Sequence, residues 1–408
     1  MNQFVVSLSD AALAAAYVRA CEIELQALKP GNVSIDAPGH DMCADDFLVS
    51  AKVSAVPLVA RGLSLGERVY RTVAATRAAV SCNTNLGIVL LCAPLLHAML
   101  EATPERDLRK RLRKVLAAAD VNDTEWIYRA IRLASPGGLG RSREHDVNDP
   151  PHVPVIAAMQ AAAYRDRIAL QYSTGFADVF EYAVPRLNEY RARWNSDTWA
   201  AVAVFLGLLR RFPDSHIARK YGQARAREVS LTAAALEAEL VAGDAPQALT
   251  KRLQAADVEF KRVGINPGTT ADLTMASLLV LYLERLLARN TGGRLKHGSP
   301  DVKGARCEST KRTHKDSRPG FVSGTGRAAC ERRPVSHTWE CSNEEATRGR
   351  VPRRGELKRP GSGFAQSRTM EVSLTLHAQG DTGSKDLSAS DGVGTSPVRL
   401  APRNHSSL

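Results

Sequence analysis

The sequence predicts an all-α protein, a single multi-helix bundle domain over residues 1–290 followed by a disordered C-terminal tail. Two observations predict the bundle: apolar residues recur at i, i+3, i+4 spacing in one segment after another, and no segment alternates cleanly between turns. A third marks the tail. The 408 residues carry a net charge of +12, and 291–408 supplies +9 of it, from 21 Lys and Arg against 12 Asp and Glu. That stretch also holds 15 of the 29 glycines and no sustained period, so it lacks the apolar surface that offsets chain entropy. It is basic and Gly-rich but has no interleaved aromatics, so it reads as a disordered or non-native extension and not as a nucleic-acid arm.

Taken in order, the first helix follows Ser7-Leu-Ser-Asp10 and runs to Leu28, where Lys29-Pro30-Gly31-Asn32 stops it and leaves a lysine at the rim of a turn. Asp45 or Ser50 opens the second, with Pro57 as a kink or boundary. Residues 67–76 form an amphipathic helix with Arg68 and Arg71 on one face. The central stretch, Ser81-Cys-Asn-Thr-Asn-Leu-Gly87, then enters an apolar helix to about Leu100. A basic helix spans 105–119 and another 126–133, which Ser135-Pro-Gly-Gly-Leu-Gly140 ends. Further helices fit 155–172, 176–183, 189–212, 215–240, 246–256 and 271–288.

Several function classes are excluded. The N-terminus has no basic segment before an apolar core, and the longest apolar run, 86–100, is too short to span a bilayer, so a cytoplasmic protein without membrane partners is expected. The seven cysteines form no C-x-x-C pair and suggest no disulfide framework. In the tail, Cys307, His314, Cys330, His337 and Cys341 match no common zinc spacing. A Walker A signature is absent, and Ser135–Gly140 follows a helix instead of a strand, which fails the context of a dinucleotide fingerprint.

What remains is a set of short polar clusters at helix starts and loops. Lys29–Asn32 sets a cation beside a tight turn, and Gly39-His40-Asp41-Met42 places an imidazole next to a carboxylate. Asn83, Thr84, Asn85 and the Gly87 backbone offer amides, a hydroxyl and unpaired N–H groups at the head of a buried helix, a surface suited to an anion or nucleotide. Asp214-Ser-His216 leads to Arg219 and Lys220. Asn266-Pro-Gly-Thr-Thr-Ala-Asp272 puts a glycine, two hydroxyls and an acid at another helix start. Each has a structural explanation as a cap, turn or solvated group. A nucleotide bound here is held by helix starts and a metal, with Asp41, Asp45, Asp214 and Asp272 the candidate carboxylates.

Together, in this order and rough spacing, these motifs resemble the triphosphoribosyl-dephospho-CoA synthase family over about residues 11–287. The resemblance implies a helical enzyme, a pentosyltransferase that moves the triphosphoribosyl part of ATP to dephospho-coenzyme A and releases adenine. It also implies Mg2+ with the ATP. On this basis Lys29, Asn32, Asn83, Thr84, Asn85, Gly87, Lys220, Gly268, Thr269 and Thr270 are assigned to nucleotide and phosphate, and Asp41, Asp214 and Asp272 to metal. Asp41 or His40 is the expected base, with His216 a weaker candidate for the acid. The chain departs from classical members where Asn85-Leu86 replaces a His-Lys pair and where Tyr172-Ser-Thr precedes Gly175-Phe176 in place of an Arg-Gly-Glu-Ala segment. This form is similar to a divergent branch associated with archaea and with bacteria that use methanopterin-type cofactors. Another cofactor precursor as acceptor, a homo-oligomer, and a non-catalytic helical binding protein stay open at this point.

Overall fold

The computed structural model describes residues 8–292; the expected tail and its Cys/His set lie outside the described residues. Thirteen α-helices and no strand occur among them, in the order α1 (Asp10–Gln26), α2 (Ala44–Val59), α3 (Leu65–Ala79), α4 (Leu86–Leu100), α5 (Leu108–Ala118), α6 (Val121–Ala134), α7 (Val155–Ala162), α8 (Arg167–Thr174), α9 (Val184–Trp194), α10 (Asp197–Arg211), α11 (Ser215–Ala242), α12 (Thr250–Arg262) and α13 (Gly268–Gly292). A π-helical turn (Asp178–Ala183) leads into α9, and a 3-10 turn (Pro246–Leu249) into α12. No described helix is long and apolar enough to cross a membrane.

The core follows from sequence periodicity. α4, α10 and α13 are apolar nearly all round and are buried accordingly. α1 packs on α2 and α13, α3 on α2 and α6, and α10 on α9 and α11, so amphipathic helices wrap the apolar three.

Several boundaries differ from the sequence expectation, each for a local reason. The 155–172 helix is two helices, because Asp166 turns out of the helical path and caps α8 by accepting from the Ile168 and Ala169 amides. The 189–212 helix breaks at Asn195, left-handed at φ 48°, and Ser196 caps α10. α2 begins at Ala44, where Cys43 and Asp46 form a reciprocal cap, and α6 begins at Val121 through the Asp120–Asp123 capping box. Gly222 (φ 87°, ψ 162°) kinks α11. Arg68 is not on a solvated face: it is 2% exposed and its guanidinium donates to the Leu58 and Ala60 carbonyls, closing the C-terminus of α2.

Candidate active site

Helix starts remote in sequence meet around one cavity of about 540 Å³. The start of α4 contributes Asn83, Thr84, Asn85 and Gly87, the start of α13 Asn266, Gly268, Thr269 and Asp272, and α11 His216, Arg219 and Gln223. Glu24 from the last turns of α1 and Asn32 from the following loop complete the polar lining. Apolar side chains line the cavity as well, Ile127 and Ile131 of α6, Val155 and Met159 of α7, and Ile168 of α8, the last beside Gly87. The loop 135–147 lines the cavity too, held by Tyr128 Oη donating to the His145 carbonyl and by Asp146 accepting from the Ser142 and Asn148 amides.

Buried hydrogen bonds behind the wall fix this convergence. Ser50 and Thr84 share a 2.6 Å hydroxyl contact that ties α2 to the loop before α4, and Asn85 Nδ2 donates to Thr76 Oγ1 of α3. Asn32 Nδ2 donates to Asn266 Oδ1 at 2.9 Å, joining the turn after α1 to the turn before α13. Asp214, 2% exposed, joins α11 to α13: Oδ1 accepts from the His216 and Ile217 amides, Oδ2 from the Thr270 amide and hydroxyl.

Four helices therefore begin on one wall, but they are not equivalent. Asp166 and Asp214 already satisfy the first amides of α8 and α11. At α4 and α13 the Gly87 and Thr269 amides have no acceptor among the described residues. These two starts are the electropositive ends facing the cavity. Asp272 lies directly against Gly87: a Cβ on that glycine would sit 2.0 Å from Asp272 Oδ2, so the approach requires glycine. No described group donates to the Asp272 carboxylate, and burial, followed by the charges of Glu24, Asp214 and Asp166, pushes its pKa well above the usual carboxylate range.

Of the residues expected from sequence, Asn32, Asn83, Thr84, Asn85, Gly87, His216, Gly268, Thr269 and Asp272 are brought together on the wall. Others are corrected. Lys29 is not at a rim: it is fully buried, its Nζ donates to the Glu24, Ala27 and Val33 carbonyls and lies 3.1 Å from Glu24 Oε1, so it holds no phosphate. Asp214 and Thr270 stand behind the wall with their donors and acceptors engaged by each other, which leaves Asp214 no oxygen for a metal. Asp41 is exposed and lines no part of the cavity, and His40 Nε2 is engaged 2.8 Å from the Gly31 carbonyl. Lys220 is exposed with its Nζ over the Tyr221 ring, while Arg219, about 100° away around the helix, faces the cavity. His216, the weaker acid candidate, is on the wall; burial, with Arg219, Lys220 and His40 adding to it, lowers its pKa to about 4.

Sequence reasoning missed Glu24, Arg165, Asp166 and Arg219 as wall residues. Glu24 sits inside a periodic helix and Asp166 inside an apparently continuous one, so neither gave a loop signal; Arg219 was in view beside Lys220 and only the helix phase separates them.

The model of the CitG family, described as ATP:dephospho-CoA triphosphoribosyl transferase, matches residues 10–291. The chain belongs to this family. A solved structure from Archaeoglobus fulgidus, assigned provisionally as a triphosphoribosyl-dephospho-coA synthase, is 25% identical with a TM-score of 0.45, covering 60% of this chain and 100% of that chain. Among curated proteins none matches. The CitG match spans all thirteen helices except the final residue of α13, and the family's substrates are ATP and dephospho-coenzyme A. The protein is accordingly a triphosphoribosyl transferase of the CitG family, an enzyme of the pentosyltransferase class.

Proposed function

We propose that the cavity holds ATP with its triphosphate against the starts of α4 and α13 and transfers the triphosphoribosyl group to a hydroxyl of dephospho-coenzyme A, releasing adenine. The observation that carries this placement is the pair of unfilled amides, Gly87 and Thr269, on one wall with Arg219. Backbone N–H groups at a helix start and a guanidinium are the donors a phosphate chain takes. Asn83, Thr84, Asn85, Asn32 and Gly268 supply further polar contacts in the same cavity. The apolar lining, Ile127, Ile131, Val155 and Met159, suits the adenine ring or the pantetheine arm of the acceptor.

Magnesium fits this donor set in one way. Among the described residues no three His, Cys, Asp or Glu side chains gather as a metal site, but magnesium with a nucleotide needs only one or two carboxylates besides the phosphates. Asp272 meets that need, being an unpartnered carboxylate beside the two unfilled helix starts; Asp41 and Asp214 do not, for the reasons given above. When bound, the ion would neutralise phosphate charge and orient the chain. The protein's own residues then hold the triphosphate, keep water from the apolar lining and leave C1′ of the ribose open to attack.

Adenine measured chromatographically after incubation with ATP and dephospho-coenzyme A tests this reading. Release that needs the acceptor and disappears in Asp272→Asn supports it; ATP binding with no adenine from this acceptor, but adenine from a pterin-type precursor, would move the reading to the second acceptor.

A further inference from the structure

We propose that Glu24 is the group that takes the proton from the attacking hydroxyl, and that Lys29 is the positioning residue that fixes it on the cavity wall. The proposal rests on the triphosphoribosyl-transfer reading and adds the proton acceptor that this reaction needs.

Glu24 is 5% exposed, yet it lines the same cavity as Asn32, Asn85 and Asp272. One carboxylate oxygen, Oε1, is 3.1 Å from Lys29 Nζ, and no described group donates to Oε2. Lys29 has no freedom: three carbonyls at 2.6–3.2 Å and the carboxylate surround its ammonium, and it is fully buried. The loop is itself pinned by Gly31 N donating to Asp257 Oδ1 at 2.9 Å and by Lys261 Nζ on the Ala37 carbonyl and Asp257. A buried ion pair is poor evidence of a stability gain, because the desolvation of both ions offsets the attraction. Here one member opens on a substrate-sized cavity, which is the arrangement a positioned base requires.

The charged and titratable groups around Glu24 are Lys29 from the following loop, Asp272 from α13 and Cys21 on its own helix, with Asp257 and Lys261 of α12 behind Lys29. Burial raises the Glu24 pKa and the Lys29 ammonium opposes the rise. The His216 imidazole also lines the cavity, but it stands against Gly268 at the start of α13, among the phosphate donors.

The step balances within the reactants. The acceptor oxygen bonds to C1′ of the ATP ribose and the C1′–N9 bond breaks, its electron pair going to adenine. The hydroxyl proton passes to Glu24, and one proton returns through cavity water to the departing base.

The test compares wild type, Glu24→Gln, Lys29→Met and the double variant, all as the full chain, by ATP binding calorimetry and adenine release across pH. Glu24→Gln is expected to bind ATP within about threefold of wild type and to lose about 10²-fold or more in kcat. Lys29→Met is expected to move the acidic limb of kcat to higher pH, because the carboxylate then keeps its proton longer; a merely structural lysine would lower thermal stability and leave the limb in place. If Lys29→Met does not fold, the double variant, which removes both charges, is expected to fold and bind ATP with the kcat of Glu24→Gln. A Glu24→Gln enzyme with kcat within threefold of wild type overturns the assignment of Glu24 alone. Wild type that binds ATP and releases no adenine with any acceptor overturns the transfer reading, and this proposal with it.

Discussion

Gly87→Ala separates a positional role of Asp272 from a general one. The added methyl would lie 2.0 Å from Asp272 Oδ2, 2.5 Å from its Cγ and 2.9 Å from Ile168 Cδ1. Ordinary contact begins near 3.4 Å, so the carboxylate has to withdraw by about 1.4 Å. Asp272 sits in a closely packed wall between Gly87 of α4 and the first turn of α13, so part of that strain passes to the helix starts. Overpacking of this kind costs about 1–3 kcal/mol, partly offset by the roughly 1 kcal/mol helix preference of Ala over Gly. The larger effect falls on turnover, since a displacement of about 1 Å of an active-site group can lower rate about 10²-fold. The assay is a double-mutant cycle of Gly87→Ala and Asp272→Ala, read by thermal melting and by adenine release. The methyl is expected to cost more stability while Asp272 is present than in its absence, where only the Ile168 contact remains, so the two changes are non-additive. Strict additivity in melting, or a Gly87→Ala enzyme with wild-type kcat, would refute the reasoning that the glycine exists to admit this carboxylate.

Three further outcomes follow from the same geometry. Asp214→Ala removes a helix cap and leaves the Thr270 amide and hydroxyl without an acceptor, so it should lower unfolding free energy by about 3–5 kcal/mol in urea titration; a loss under 1 kcal/mol would contradict its role as the clamp between α11 and α13. His216 titrates near 4 when folded and near 6.5 when unfolded, so its contribution is intact above pH 6.5 and is lost as pH falls toward 4. His216→Gln should flatten the stability–pH curve in that window by up to about 3 kcal/mol, and parallel curves for the two proteins would count against the buried, neutral imidazole. Chain ending at residue 292 should melt and turn over like the full-length protein, because the CitG match closes at 291; an insoluble or inactive truncation would show that the remaining residues contribute.

The sequence by itself determined the helical class, the central helix from Leu86 to Leu100 and the polar helix starts that line the cavity, because these are local matters of period, cap and turn residue. The start of α4 illustrates this: an uncharged Asn-Thr-Asn ahead of an apolar run has few places to go except a buried helix end. Lys29 shows what local reading misses. Pro30 and Gly31 announce a turn, and a lysine beside a turn is usually solvated, but only the packed loop shows that its ammonium ends among three carbonyls and Glu24. Likewise, nothing in the chain order distinguishes Asp272, left bare beside Gly87, from Asp214, saturated by four donors, since both are acids at helix starts. Tertiary structure decided which polar groups face each other across the bundle. Some of those partners are near in the chain, as for Lys29, whose ammonium is held by residues within five positions, and others are far, as for Asp214 and Thr270, 56 residues apart; in both cases the folded path of the loop sets the contact, and a one-dimensional period carries no record of it.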